Sequence, residues 1–324
     1  MKKLKSPVFI LACTLVCLMV IEIAIYMQAL KKEDPIIQVS LIVYGSDASR
    51  WENLKQGAVL AADDMNAEVT LITMSGEDDA SEQIALIRRE AEGGADALLI
   101  AAADSEGIRE YLRTNPIKIP YAFVESGTGD GSSLTSADNV KMAEALIKTI
   151  DDNEKDWIKA AVIVDHDRRD SVKERLDTVL NTDIDYAENV VLWERNEQEV
   201  DKKAQFFLQR QLTEEAVDVV IALDNSSMEE ITDAAVNLNK DVKIYGIANS
   251  SKSAYYLDNR LIRSLVYQDE FSIGYIGLTN LLKDNFRDLH DHASYEGREI
   301  SFKVVDHNNM YDEANQRLLF PHVR

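Results

Sequence analysis

Three segments of this chain recur in the same order at a separation of roughly 120 residues, and that repetition requires a molecule of two similar halves. Ile37–Asp47 (IQVSLIVYGSD) resembles Lys159–Asp165 (KAAVIVD). Ala95–Glu106 (ADALLIAAADSE) matches Val217–Ser226 (VDVVIALDNS) as strand, aspartate and helix start. Ile117–Ser126 (IKIPYAFVES) pairs likewise with Val242–Ser250 (VKIYGIANS). One such match would be weak; three in order specify two lobes, and 324 residues is a natural length for two domains.

The hydrophobic pattern sets the fold class. Short apolar runs at 37–44, 69–73, 97–101, 119–124, 160–164, 190–193, 217–223, 242–247 and 262–267 read as strands. Most are almost continuously Val, Ile, Leu and Ala, as expected of parallel strands covered on both faces. Amphipathic stretches lie between them at 50–65, 81–92, 105–113, 140–150, 170–180, 198–212, 227–239 and 272–285. In the first of these Leu54, Ala58, Ala61 and Met65 share one helical face. Alternating β and α predicts two doubly wound parallel α/β lobes.

The N-terminus is of another kind. Lys2, Lys3 and Lys5 precede an apolar run from Pro7 to Leu30, broken only by Glu22 and Gln28. As a helix it would be about 36 Å long, enough to span a bilayer. The early lysines place the N-terminus inside and the body outside the cell membrane as a single-pass protein, although Lys31 and Lys32 oppose that bias. The expectation is an uncleaved anchor over 1–35. A cleaved signal and lipidation at Cys13 are the alternatives; the first lacks a clear small-residue cleavage site, and the second has an imperfect Ile-Leu-Ala-Cys box. Glu22 is expensive in a span and hints at a partner helix.

Both cysteines, Cys13 and Cys17, lie in this run, so the body has no thiol for disulfide, metal or catalysis. Acidic residues number 57 against 35 basic, and the first 35 residues hold five of the lysines. A body so negative repels nucleic acid.

The segments VSLIV at Val39, WENLKQGA at Trp51, GADALLI at Gly94, SADNV at Ser136 and VKIYG at Val242 resemble the type I periplasmic binding proteins. That family includes the ribose- and xylose-binding proteins and the effector domains of lac-type repressors. The resemblance runs from about Ile36 to Val305, and no helix-turn-helix precedes it. The end, Asn309–Pro321 (NMYDEANQRLLFP), is similar to membrane-anchored Firmicute members that work with sensor histidine kinases.

The resemblance implies three crossings between lobes, with lobe I at 36–137 plus 269–299 and lobe II at 138–268 plus 300–324. It implies extracytoplasmic capture of a small polar ligand, most simply a sugar, for a sensor kinase or an ABC permease.

In open α/β sheets ligands sit beyond the carboxyl ends of strands. Those positions here are Asp47, Asp104 with Ser105, Glu125, Asp165, Asp224, Asn249 and Gln268. Carboxylates and carboxamides suit vicinal hydroxyls, but Asp and Asn after a strand are also ordinary helix N-caps, and the same acids would suit an amine or nucleoside.

The resemblance puts Trp51 where sugar binders stack an aromatic ring, with Arg50 where many carry a second one. Of the basic cluster Arg168, Arg169, Lys173 and Arg175, it aligns Lys173 with a ligand-gripping arginine. Ala248 stands where an aspartate is usual.

Nothing points to an enzyme, cofactor or metal site. Phosphate-loop, nucleophile-elbow and His-Glu-x-x-His patterns are absent from the sequence. His290 and His292 lack a third neighbour, so a solvated loop is the simpler reading. The acids Asp47, Asp104 and Asp224 leave carbohydrate hydrolysis as the alternative activity.

Overall fold

The computed structural model describes residues 14–22, 35–76, 79–154, 159–164, 168–182, 190–195, 204–286 and 299–319. Residues 14–22 (α1) are helical and form, with the rest of 1–36, a unit apart from the body. Leu15, Val16, Leu18, Met19, Val20 and Ile21 of α1 are exposed, as is the free thiol of Cys17. Among the described residues no helix is long and apolar enough to cross a membrane. The remainder of the expected anchor, with Cys13, lies outside the described residues.

The body, from Ile37 onward, holds two sheets. The first is ordered β2-β1-β3-β4-β5, with β1 at Ile37–Val43, β2 at Ala67–Thr73, β3 at Ala97–Ile100, β4 at Tyr121–Val124 and β5 at Leu134–Thr135. Every pairing in it is parallel.

The second is ordered β11-β10-β9-β8-β6-β7. Its strands are β6 (Ala160–Val164), β7 (Val190–Glu194), β8 (Val219–Ala222), β9 (Lys243–Ile247), β10 (Ser264–Gln268) and β11 (Phe302–Asp306). It is parallel except for β11, which runs antiparallel to β10. The doubly wound parallel lobes expected from the sequence are therefore present.

Side chains alternate between two buried faces in the first sheet. Leu41, Val43 and Leu99 pack with Leu54 and Ala58 of α2 (Glu52–Asp64) and Ile273 of α10 (Glu270–Asn285). Ile42, Leu98 and Ile100 pack the other way, on Ile87 of α3 (Ala80–Gly93) and Ile108 of α4 (Ser105–Thr114). The second sheet does the same: Val162, Val219 and Val266 meet Met142 and Leu146 of α5 (Asn139–Asn153), with Val179 of α6 (Asp170–Asn181). Its opposite face, through Ala161, Val220 and Leu265, meets α7 (Ala204–Glu214), α8 (Asn225–Leu238) and α9 (Ser251–Asp258). Such two-sided burial is what turns these strands into unbroken apolar runs.

The chain leaves the first sheet after β5 and enters the second through α5. It comes back through α10, which packs on α2 and β4, and crosses a third time before β11. The α10–α2 contact is unusually close. A Cβ on Gly274 would lie 1.9 Å from the Leu54 carbonyl oxygen, and one on Gly57 equally near that of Phe271. Glycine at both positions lets the two backbones touch.

Aspartates fix several helix starts. Asp79, Asp104, Asp138, Asp224 and Asp269 each accept from a backbone N–H in the first turn that follows.

Candidate functional site

The carboxyl ends of both sheets face one another across a cleft. Its walls come from the ends of β1 (Tyr44), β4 (Glu125), β8 (Asp224, Asn225), β9 (Ala248, Asn249) and β10 (Gln268), and from Arg50, Arg169 and Arg175. The cavity between them is about 10 Å³, room for about one water. Charged side chains fill the rest.

Those charges occur as pairs. Arg50 Nη1 donates to Glu270 Oε1 at 2.6 Å, Arg169 Nη2 to Asp224 Oδ2 at 2.5 Å, and Arg175 Nη2 stands 3.7 Å from Glu125 Oε1. Three guanidinium groups thus meet three carboxylates. The Arg175 fork is aimed by Asn139 Oδ1, which accepts from Nε at 2.9 Å, and by the Leu223 carbonyl, which accepts from Nη1 at 2.9 Å. Its Nη2 is shielded from solvent and has no hydrogen-bond partner among the described residues. Asn249 Nδ2 and Glu270 Oε2 are likewise shielded from solvent and without a hydrogen-bond partner among the described residues.

Aromatic rings back the cations. Arg50 lies 4.1 Å from the Trp51 ring centroid and Arg169 lies 4.4 Å from that of Tyr44. The Tyr44 hydroxyl donates to Glu125 Oε2 at 3.1 Å. Glu125 itself adopts φ of 64°, a left-handed conformation unusual for a residue with a Cβ.

Burial and pairing set the protonation states. Burial pushes the Glu270 carboxyl above the usual range, with Arg50 opposing. At Asp224 burial acts in the same upward sense, but Arg169 and the Ser227 hydrogen bonds outweigh it and hold the carboxyl low. Burial lowers Arg175, and it disfavours the Arg50 cation as well, although Glu270, Tyr44 and Glu125 together raise Arg50 above its ordinary value.

Of the residues expected at the site, Arg50, Glu125, Asp224, Asn249 and Gln268 line the cleft, as does Ala248. The others sit elsewhere. Asp47 is exposed and caps the 3-10 helix Ala48–Trp51 by accepting from Ser49 N at 2.9 Å. Asp104 and Ser105 reach the opposite lobe instead of the cavity: Asp104 pairs with Arg168 at 3.2 Å, and Ser105 Oγ accepts from Asp170 N at 2.9 Å.

Trp51 offers no open face. It is 1% exposed, its indole N–H donates to the Tyr44 carbonyl at 2.9 Å, and Arg50 covers its ring, so stacking on a ligand is replaced by a role in the core. Lys173 is exposed and paired with Asp170 at 3.5 Å. Asp165, His290 and His292 lie outside the described residues. Of the three acids that would serve hydrolysis, Asp224 lines the cleft and Asp47 and Asp104 do not. Among the described residues no cluster of His, Cys, Asp and Glu could hold a metal ion.

Of the basic cluster Arg168, Arg169, Lys173 and Arg175, it is Arg169 and Arg175 that line the cleft, and a helical period identifies the second. Ser171, Arg175 and Val179 are spaced i, i+4, i+8 on α6 and are all buried. Lys173, two residues from Arg175, is turned away by about 200°. Tyr44, Asn225 and Glu270 carry no comparable sequence signal, since their partners Glu125, Asn249 and Arg50 lie 81, 24 and 220 residues away in the chain.

A family model described as a periplasmic binding protein domain matches residues 39–283. No curated protein is significantly similar to the chain in sequence. Among solved structures it is similar to a carbohydrate transporter solute-binding protein from Agrobacterium radiobacter in complex with D-arabinose: 18% identity, TM-score 0.72, covering 89% of this chain and 100% of that one. An ABC transporter solute-binding protein from Agrobacterium vitis with bound D-fucose aligns at 16% identity and TM-score 0.71, over 87% and 100%. A sugar transporter from Clostridium phytofermentans aligns at 18% and 0.68, over 84% and 99%. At these identities the likeness is one of fold, and it agrees with the family match in both lobes. With its two parallel α/β lobes and the cleft at their strand ends, this chain belongs to the type I periplasmic binding protein family.

Proposed function

We propose that the cleft captures a neutral, hydroxyl-rich small molecule of the monosaccharide class outside the cytoplasmic membrane. In this reading a membrane partner, an ABC permease or a sensor histidine kinase, then receives the loaded protein. The apolar run from Pro7 to Leu30 supports tethering of the body at the outer face.

The observation that carries the reading is the charge balance of the cleft. Three arginines are matched by three acids, so a charged ligand would bring an uncompensated charge into a buried site. A polyol brings none. Arg175 Nη2 and Asn249 Nδ2 are left over as donors and Glu270 Oε2 as an acceptor, a set that vicinal hydroxyls satisfy in both directions. The structurally similar solute-binding proteins with D-arabinose and D-fucose support the same class.

A thermal-shift titration of the full chain in detergent tests this with D-arabinose, D-fucose, D-tagatose, galacturonate and putrescine. A ligand present at 100 times its dissociation constant stabilises by about 2.7 kcal/mol. The expectation is a saturable shift with a neutral sugar that Arg175→Lys loses, because an ammonium cannot reproduce the fork. A shift with galacturonate or putrescine alone would overturn the neutral-ligand reading, and sustained product release would mean an enzyme. Recovery of a permease or of a kinase from solubilised membranes distinguishes delivery from sensing.

A further inference from the structure

A second cavity lies at the other end of the sheet that carries β9 and β10. Asn249 and Gln268 meet the cleft at the carboxyl ends of these strands, whereas Lys243 opens β9 and Arg263 immediately precedes β10. A five-residue strand separates the two sites by about 16 Å. This cavity has a volume of about 410 Å³, within the range of small-molecule sites.

Its charge is not balanced. Glu154, at the end of α5, is occupied by Lys243 and by the Tyr245 hydroxyl, which donates to it at 2.8 Å. Asp306 accepts from the backbone N–H groups of Asn308 and Asn309 at 2.8 and 3.0 Å. Arg260 and Arg263 also line the cavity, and neither makes a side-chain hydrogen bond or ion pair among the described residues. The Nδ1 of His307 is shielded from solvent and has no partner there either. The turn carrying the arginines is held by Arg260 N donating to the Leu257 carbonyl at 3.0 Å and Leu261 N to that of Tyr256 at 2.9 Å. In a chain with 57 acidic and 35 basic residues, a concave site whose three cations (Lys243, Arg260 and Arg263) outnumber its two acids (Glu154 and Asp306) is against the trend.

We propose that this cavity binds a compact, multiply charged oxyanion, independently of the cleft ligand. Guanidinium forks match carboxylate and phosphate oxygens in pairs. The acidic body selects against larger anions. At physiological salt, fields decay over about 8 Å, so a small anion inside the cavity feels the arginines, while an anionic bilayer or an acidic polymer also meets the rest of a chain of net charge −22.

Titration calorimetry of the full chain in detergent with inorganic pyrophosphate, and in parallel with citrate, tests the site at low ionic strength, with sodium chloride at matched ionic strength as reference. Saturable binding of at least one probe is expected, weakened at least about tenfold in the Arg260→Gln/Arg263→Gln double variant. Both side chains are exposed, so the double variant should keep the wild-type circular dichroism. Binding should persist in Arg175→Lys, which alters only the cleft, so failure of the sugar reading and failure of this one are separable. No saturable heat beyond the chloride reference, or equal binding by wild type and the double variant, overturns the proposal.

Discussion

The Arg50–Glu270 pair allows a worked test of how the cleft is held together. The two side chains are 12% and 1% exposed and meet at 2.6 Å. Removing one partner of a buried pair costs about 3–5 kcal/mol, because the other is left charged and unpaired. Glu270→Leu should fall at the low end, about 3 kcal/mol, since Arg50 keeps its place 4.1 Å over Trp51 and such a contact retains about 0.5–2 kcal/mol. Arg50→Met should cost somewhat less, about 2 kcal/mol, because a buried carboxyl can escape by taking up a proton. Burial already pushes Glu270 in that direction. The double variant Arg50→Met/Glu270→Leu replaces the pair by apolar groups of similar size and should lie within about 1 kcal/mol of wild type. The singles then exceed the double by a coupling of about 4 kcal/mol. Urea titration followed by intrinsic fluorescence measures all four proteins. If the double variant loses the sum of the two singles, Arg50 and Glu270 are not coupled as a buried ion pair.

Asp224 carries a pH dependence of definite sign. Its carboxyl is held below the ordinary value of 3.8, so its stabilising contribution is complete above that value and is lost as pH falls through the lower folded value. The stability gap between wild type and Asp224→Asn, from urea midpoints between pH 7 and 3, should shrink on acidification; a widening gap would contradict the Arg169 pairing. Gly274→Ala should destabilise by about 2–3 kcal/mol or more, since its Cβ meets backbone and the two helices must part. Gly93→Ala, with open space around it, should instead be neutral or stabilising by up to about 1 kcal/mol. Thermal or urea unfolding compares the pair directly.

The parts of the fold legible in the sequence are those made locally. Strands such as Val219–Ala222 are buried on both faces and so are written as apolar runs, and helices such as α2 carry their period openly. The elements that escaped detection are short or half-exposed. The pair Leu134–Thr135 is too brief to show alternation, and the edge strand Phe302–Asp306 mixes Lys303 and Asp306 with apolar residues. Helix α9 is only eight residues long. At the cleft, the strand-end rule leads to Glu125, Asp224, Asn249 and Gln268, which line it. It failed at Asp47, where the same residue type serves as a cap. Glu270 could not be found that way, because its partner Arg50 is 220 residues distant in the chain. Aligning by resemblance alone favoured Lys173, whereas the buried face of α6 selects Arg175.

The neutrality of the cleft bears on the speed of capture. Long-range steering acts on net charge, and among the described residues the three arginines and three acids of the cleft cancel. A neutral solute approaching a chain of net charge −22 is therefore neither drawn in nor repelled, and its association rate should be indifferent to ionic strength. On the proposed neutral-ligand reading, discrimination then resides in how long the solute stays: hydroxyls that satisfy the leftover donors and acceptor remain, and those that leave them unmatched depart.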